Sequence, residues 1–310
     1  MPKMQAVFRN RWLPYVLLLP TLIILVVFLY YPIINTFALS FYRAAPNGID
    51  LTFIGFDNYA RILDPQLQQN DSGIWIIRNP YFLVVGRSIL FSAAIVVGGL
   101  AASMGVAMLA NQKITGIRIY RTLLIWPYAI SPAIIGVIFL FMFNPIVGVI
   151  NFVWNAVFHT RPLWLGDPIL TPLLIVIASI WKNLGYNVIF YLAGLQNINT
   201  ELLEAASIDG ANAWVRFRRI IFPLLSPFTF FLVITNLTYS FFDVFGTIDI
   251  LAGPGPANST TVLIYNLYRD LQINHNTGMA ATQSVMLFVL VAGLTILQFR
   301  TTERRVTYNA

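Results

Sequence analysis

Long apolar stretches alternate with short polar ones along this chain, and six of the stretches could cross about 30 Å of hydrocarbon as helices. They fall at 13–31, 82–110, 122–143, 169–195, 228–245 and 278–299. Helices are the expected form, because strands in lipid need a closed barrel and a clear alternation of faces that these runs lack. Pro20, Pro127 and Pro132 lie inside the runs and predict kinks, since proline removes a backbone donor. The first run is too long for a signal-peptide core and has no small-residue cleavage site after it, so it reads as a retained anchor. No internal repeat or low-complexity linker divides the chain, and residues 1–310 read as a single all-α polytopic membrane unit with six transmembrane helices.

The polar segments give the arrangement a direction. Basic clusters at Lys3, Arg9 and Arg11, at Lys113, Arg118 and Arg121, at Arg216, Arg218 and Arg219, and at Arg300, Arg304 and Arg305 all fall on one side of a six-span layout. The other side carries Asp50, Asp57, Asp64, Asp71 and Asp167. By the positive-inside rule both termini are expected in the cytoplasm. The segment from Ser40 to Pro80 holds turn signals (PNG, IGFDNY, NDSG) and is expected to form an ordered outer cap. An apolar run at 147–158 is expected along the outer interface, and Gly253-Pro254-Gly255-Pro256 marks a tight outer turn.

Composition narrows the class further. With 58% hydrophobic and 10% charged residues the chain is far from a soluble domain. Its formal net charge of +7 reflects the basic loops, not nucleic-acid binding. The absence of cysteine excludes disulfides, iron–sulfur clusters and thiolate metal sites. His159 and His275 are far apart and fit no metal-ligand spacing. No G-x-x-x-x-G-K-[ST] loop is present, because Lys3, Lys113 and Lys182 follow Pro2, Gln112 and Trp181. The chain is therefore expected not to be an enzyme and to bind no cofactor or metal.

Polar residues inside the apolar runs are few and periodic. Ser179, Lys182, Asn183, Tyr186 and Asn187 recur at helical spacing in the fourth run, and Asn236, Tyr239, Ser240 and Asp243 do so in the fifth. A charge at mid-bilayer costs roughly 2.5–3.5 kcal/mol on insertion scales, so Lys182 should face protein or water. The stripes can line a hydrophilic path for solute, with Lys182 attracting an anion, or they can be helix–helix hydrogen bonds that hold a bundle together. Straight-helix counting puts Lys182 and Asp243 more than a turn apart in depth. Arg87 matches Asp243 better, which predicts a structural Arg87–Asp243 pair.

Between the fourth and fifth runs lies a polar helical hairpin, 200–227, with the sequence EAASIDGANAWVRFRRIIFPLLSP from Glu204 onward. Thr200 is the expected cap of its first helix, Asp209-Gly210 the break, and Pro223 the end of its second helix. This stretch resembles the EAA loop of the inner-membrane permeases of binding-protein-dependent ABC importers. The matching positions are Glu204, Ala205, Ala206, Asp209, Gly210, Ala211, Phe217, Ile220, Pro223 and Pro227. Beyond the hairpin, segments such as LIWPYAISPAI, SIWKNLGYNVIFYLAGLQNI and NLTYSFFDVFGTID resemble the glycerol-3-phosphate branch of that family, over nearly the whole chain.

The resemblance implies a type I importer permease fold in a bacterial inner membrane. It also implies a heterodimer with a second, related permease, two copies of an ATPase that holds ATP and magnesium, and an external solute-binding protein. The hairpin would be the element that docks the ATPase. Lys182, Asn183, Tyr186, Asn187, Asn236, Tyr239 and Asp243 would belong to the solute path, for sn-glycerol 3-phosphate or glycerophosphodiesters. A related sugar permease of maltose type and an ion-coupled secondary transporter are the alternatives. A membrane-embedded enzyme would need paired carboxylates or a metal cluster at depth, which the runs do not contain.

Overall fold

The computed structural model describes residues 12–44, 51–69, 75–112 and 116–302. Lys3, Arg9, Arg11, Asp50, Asp71, Lys113, Arg304 and Arg305, which carry part of the charge argument, lie outside the described residues. The chain divides into two compact units, Met1–Asp64 with Leu267–Met286, and Pro65–Asn266 with Leu287–Ala310.

In the first unit, helices α1 (Leu13–Leu25) and α2 (Tyr31–Leu39) join through a π-helical turn, Val26–Tyr30, into an apolar run of 27 residues, Leu13–Leu39. Helix α1 runs on through Pro20. The widening comes later, where the Tyr31 N–H reaches back to the Val26 carbonyl just before Pro32, which has no N–H to lose. Strand β1 (Tyr42–Ala44) then pairs antiparallel with β2 (Leu51–Phe53), and α3 (Asp57–Leu63) follows. Asp57 accepts from Arg43 at 2.5 Å and from Arg61 at 3.0 Å. Buried Asn58 donates to the Ser40 and Tyr42 carbonyls at 3.0 and 2.9 Å. Thr282 also donates to the Ser40 carbonyl, at 3.0 Å. At Gly278 a Cβ would lie 1.8 Å from the Tyr42 oxygen, so only glycine lets that backbone approach.

The second unit opens with another antiparallel pair, β3 (Gln66–Gln69) and β4 (Trp75–Arg78). These two small sheets qualify the all-α expectation for a structure that is otherwise mostly helical; strands of three or four residues are too short to show a period. Asn79 caps α4 (Pro80–Ala110), its Oδ1 accepting from Tyr81 and Phe82 N–H at 2.8 and 3.3 Å. Next come α5 (Ile117–Ile125), a 3-10 turn at Trp126–Ala129, and α6 (Pro132–Met142). The two halves of this third run meet at 104°. Helices α7 (Val149–Phe158) and α8 (Leu170–Gln196) follow.

The hairpin comprises α9 (Thr200–Ile208), α10 (Ala213–Arg216), a π turn at Phe217–Ile221, and α11 (Phe222–Leu224). Helix α12 (Ser226–Thr238) leaves it at 67°, and a π turn, Tyr239–Asp243, leads to α13 (Phe245–Leu251). Helices α14 (Leu263–Gln272) and α15 (Thr277–Thr302) complete the chain, and both have residues in the two units. Among the described residues, four helices are long and apolar enough to cross a membrane, and the bent pairs on either side of Ile130 and of Leu225 raise that to as many as six.

The core of the second unit is the seam of α4 against α8, where Val96, Leu100 and Ala107 meet Val188, Tyr191 and Leu192. Gly185 brings α8 against the backbone of α5: a Cβ there would lie 2.2 Å from the Leu124 oxygen and 2.7 Å from the Ile125 Cα. That approach holds the Trp126–Ser131 break beside the polar face of α8.

Candidate functional site

The polar positions of α8 and α12 converge on one open cavity of about 620 Å³. Lys182, Asn183 and Tyr186 line it from α8, and Asn236, Tyr239 and Asp243 from α12 and its π turn. The remaining wall is Tyr128 to Pro132, the broken part of the third run, with Thr235 and Thr238 completing the α12 side. Sequence reasoning missed that wall. Pro127 and Pro132 signalled a kink there, but not that the break would front a cavity.

Lys182 is only 7% exposed, and its charge is met mainly by aromatic rings. Its Nζ lies 4.9 Å from the Tyr128 ring centroid and 5.5 Å from that of Tyr239, and donates to the Tyr128 carbonyl at 3.4 Å. Tyr128 in turn stacks on Tyr186 at 4.8 Å between centroids. Asp243 lines the same cavity. Its expected pairing with Arg87 is not formed: Arg87 Nη1 donates to the Asn258 carbonyl at 2.8 Å, in the turn that follows α13.

Asn187 departs from the expected lining role. It is fully buried and exchanges two hydrogen bonds with Asn236, of 3.1 and 2.7 Å. The reason is angular: α8 packs on α4 and α12, so the residue one position past Tyr186 points into the helix seam. Asn236 serves both functions, since it holds Asn187 and lines the cavity. On the α4 side, Ser92 and Ser240 share a hydrogen bond of 2.6 Å.

The hairpin is braced by its own caps and turns. Asn199, not Thr200, caps α9, its Oδ1 accepting the Glu201 N–H at 2.9 Å. The helix ends in a Schellman motif: the Gly210 N–H bonds Ser207 O at 3.1 Å and the Ala211 N–H bonds Ala206 O at 2.9 Å. Gly210 takes the left-handed conformation this requires, with φ at +82°. Asn212 caps α10 through the Val215 N–H at 2.9 Å, and Arg216 ties the two helices by donating to Ser207 Oγ and Ala211 O. Pro223 does not end the second helix. The π turn before it lets the Phe222 N–H reach Phe217 O, and the bend comes at Leu225 instead.

On this hairpin Glu204, Ala205, Ile208 and Trp214 are exposed, whereas Phe217, Ile220 and Pro223 are half-buried at its base. The result is a small apolar surface beside one carboxylate, on a support braced by capped turns. Among the described residues no group of three or more histidine, cysteine or acidic side chains is placed to hold a metal.

Asp167 Oδ1 accepts the Ile169 and Leu170 N–H groups at 2.7 and 2.9 Å at the start of α8. Those bonds to the charged form hold its carboxyl below the ordinary aspartate value of 3.8.

Residues 94–306 match the family model described as binding-protein-dependent transport system inner membrane component. Over 306 residues the chain is 40% identical to the sn-glycerol-3-phosphate transport system permease protein UgpA of Rhizobium meliloti (strain 1021), covering 98% of this chain and 99% of that one. It is likewise 40% identical to the protein of the same name from Agrobacterium fabrum, over 309 residues covering 98% and 99%. Among solved structures, a bacterial ABC transporter involved in the import of the acidic polysaccharide alginate is similar in fold. Its TM-score is 0.78 at 23% identity, covering 94% of this chain and 96% of that one.

Proposed function

This chain belongs to the family of binding-protein-dependent transport system inner membrane components, and we propose that it forms half of an import path for sn-glycerol 3-phosphate or its diesters. It is a permease subunit, a multi-pass membrane protein and not the enzyme of the system. The whole chain, 1–310, acts as one permease domain, with the two bent helix pairs each crossing once to make six spans. Both termini and the hairpin face the cytoplasm. Probes at Gln112 and Asn212 should then report the inside and a probe at Asn258 the outside. The loop and tail positions Asn70 and Ala310, equally suited to such probes, lie outside the described residues.

The observation that carries the solute reading is the cavity shared by Lys182, Asn183, Tyr186, Asn236, Tyr239 and Asp243. Lys182 supplies a positive charge for a phosphate, and the amides and tyrosines supply donors and acceptors for glycerol hydroxyls. Asn187 contributes by fixing Asn236. A second related permease completes the path from the open side of the cavity, and an external solute-binding protein delivers the solute. A structural neighbour in this fold class was solved in complex with a periplasmic protein carrying alginate pentasaccharide, which supports that last partner.

The energy comes from two ATPase subunits that hold ATP and magnesium. The hairpin residues Glu204, Ala205, Ala206, Asp209, Gly210, Ala211, Phe217, Ile220 and Pro223 form the coupling element. The exposed carboxylate of Glu204 and the apolar Ile208 and Trp214 make the contact, while the Schellman turn sets its angle. Uptake by the reconstituted complex tests the solute path: Lys182→Met should depress uptake of a glycerol phosphate more than basal ATP hydrolysis. Normal uptake by that variant, with cysteines at Asn183 and Tyr239 inaccessible to aqueous reagents in every nucleotide state, would place the path elsewhere.

A further inference from the structure

A second cavity, of about 580 Å³, lies outside the solute path, between the outer halves of α4 and α8. Its walls are apolar: Leu90, Phe91 and Ala94 from α4, and Ile169, Leu173 and Val176 from α8. Phe91 is buried and forms part of the floor, whereas Leu90, Ile169 and Leu173 are 70%, 75% and 47% exposed at the rim. The α4 positions succeed Arg87 at i+3, i+4 and i+7, so one helix face carries a cation first and then an apolar strip leading inward.

Arg87 stands about 10 Å along α4 from Pro80, at roughly 1.5 Å per residue. A guanidinium has five N–H donors. The Asn258 carbonyl takes Nη1, and among the described residues the other nitrogens of Arg87 have no partner. Ser259, from the same turn, lines this groove, while its Oγ is buried against Gly255. Asp167, one residue before the groove-lining Pro168, is committed to the α8 N-terminus, where the helix dipole offsets part of its charge.

We propose that this groove binds one anionic phospholipid, with an acyl chain along α4 and α8 and the phosphate held by Arg87. The order of chemistry matches such a molecule: one cation at the mouth, then a cleft with no further charged side chain. A cation at this depth is costly in hydrocarbon unless an anion or water meets it. Charge-assisted hydrogen bonds from the free guanidinium nitrogens to a phosphate meet that cost. A free phosphate or phosphorylated solute would satisfy the mouth and leave the apolar cleft unused. The inference is independent of the solute carried.

The test uses the assembled importer in nanodiscs of equal phosphatidylglycerol and phosphatidylcholine, with a photoreactive benzoylphenylalanine in place of Leu173. Phosphatidylglycerol should dominate the crosslinked lipid several-fold. Arg87→Gln should bring the two lipids to parity, Arg87→Lys should keep part of the preference, and Ala94→Trp should abolish crosslinking to both. Equal capture of the two lipids by the otherwise wild-type chain would overturn the proposal, and that arm needs no groove variant to fold. So would an unchanged preference in Arg87→Gln, or crosslinking to the partner permease instead of lipid.

Discussion

Asn187 of α8 and Asn236 of α12 face each other side by side, each amide donating to the other's oxygen, at 3.1 and 2.7 Å. Both are buried, and Asn236 also reaches its own helix at Leu232 O, at 2.8 Å. Removing one amide strands the other in an apolar seam, which costs about 1–3 kcal/mol, whereas replacing both with similar shapes can be close to neutral. Asn187→Leu should therefore lower the thermal midpoint of the purified complex, and Asn187→Leu with Asn236→Leu should recover most of the loss. Equal or additive losses would mean that the pair contributes nothing as a pair.

The close approach at Gly185 makes a sharper forecast. A methyl group there meets the Leu124 oxygen and Ile125 backbone, which cannot rotate away as a side chain could. Gly185→Ala should depress both midpoint and uptake, by displacing the Tyr128 wall from Lys182. Gly105→Ala, with open space around its Cβ, should leave both unchanged and serves as the control in the same apolar setting.

In the hairpin, Gly210 has open space but a left-handed backbone. A β-branched residue pays the conformational cost, roughly 1–2 kcal/mol per left-handed residue, without any collision. Gly210→Val should leave solute-path accessibility unchanged and weaken co-purification of the ATPase, with Gly210→Asn much closer to wild type. Wild-type ATPase retention in Gly210→Val would remove the turn from the coupling assignment.

Asp167 supplies a pH dependence. Its carboxyl is held below its ordinary value by the two N–H groups it caps, so the folded state favours the charged form. That contribution is complete above the ordinary aspartate value of 3.8 and is lost as pH falls through the lower folded value. Asp167→Asn keeps a cap acceptor but no charge, so the acid limb of its midpoint-versus-pH curve should be flatter than that of wild type below about pH 4. Identical acid limbs would show that the cap does not titrate with folding.

Much of this architecture was legible because lipid imposes a single rule on long apolar runs. Four runs became continuous helices within a few residues of their expected bounds, although the first extends to Leu39. The recurrence of Lys182, Asn183 and Tyr186 marked one face, since polar groups in an apolar run have few places to go. That Asp243 shares a cavity with Lys182 was not legible, because residue counting along two helices leaves open how their polar faces meet. The fate of Asn187 depended on the angle between α8 and α12, which no single helix encodes. Pro223 misled in the same way: proline forbids an α-helical bond to its nitrogen, but the five-residue turn before it had already changed the bonding frame. The wall from Tyr128 to Pro132 depended on a 104° bend whose direction the two prolines leave open.

The charged lining of the main cavity consists of one lysine and one aspartate. In far-field terms this lining, on the path proposed above, is a dipole and not a monopole, so its potential dies away more steeply than that of a lone cation. A net positive mouth would gather phosphate-bearing solutes from bulk solution and speed their arrival. An electroneutral one tells ions apart only at contact, and gathers none. Capture from dilute medium then falls to whatever presents the solute, and the membrane-embedded chain is left to inspect what has already been handed over.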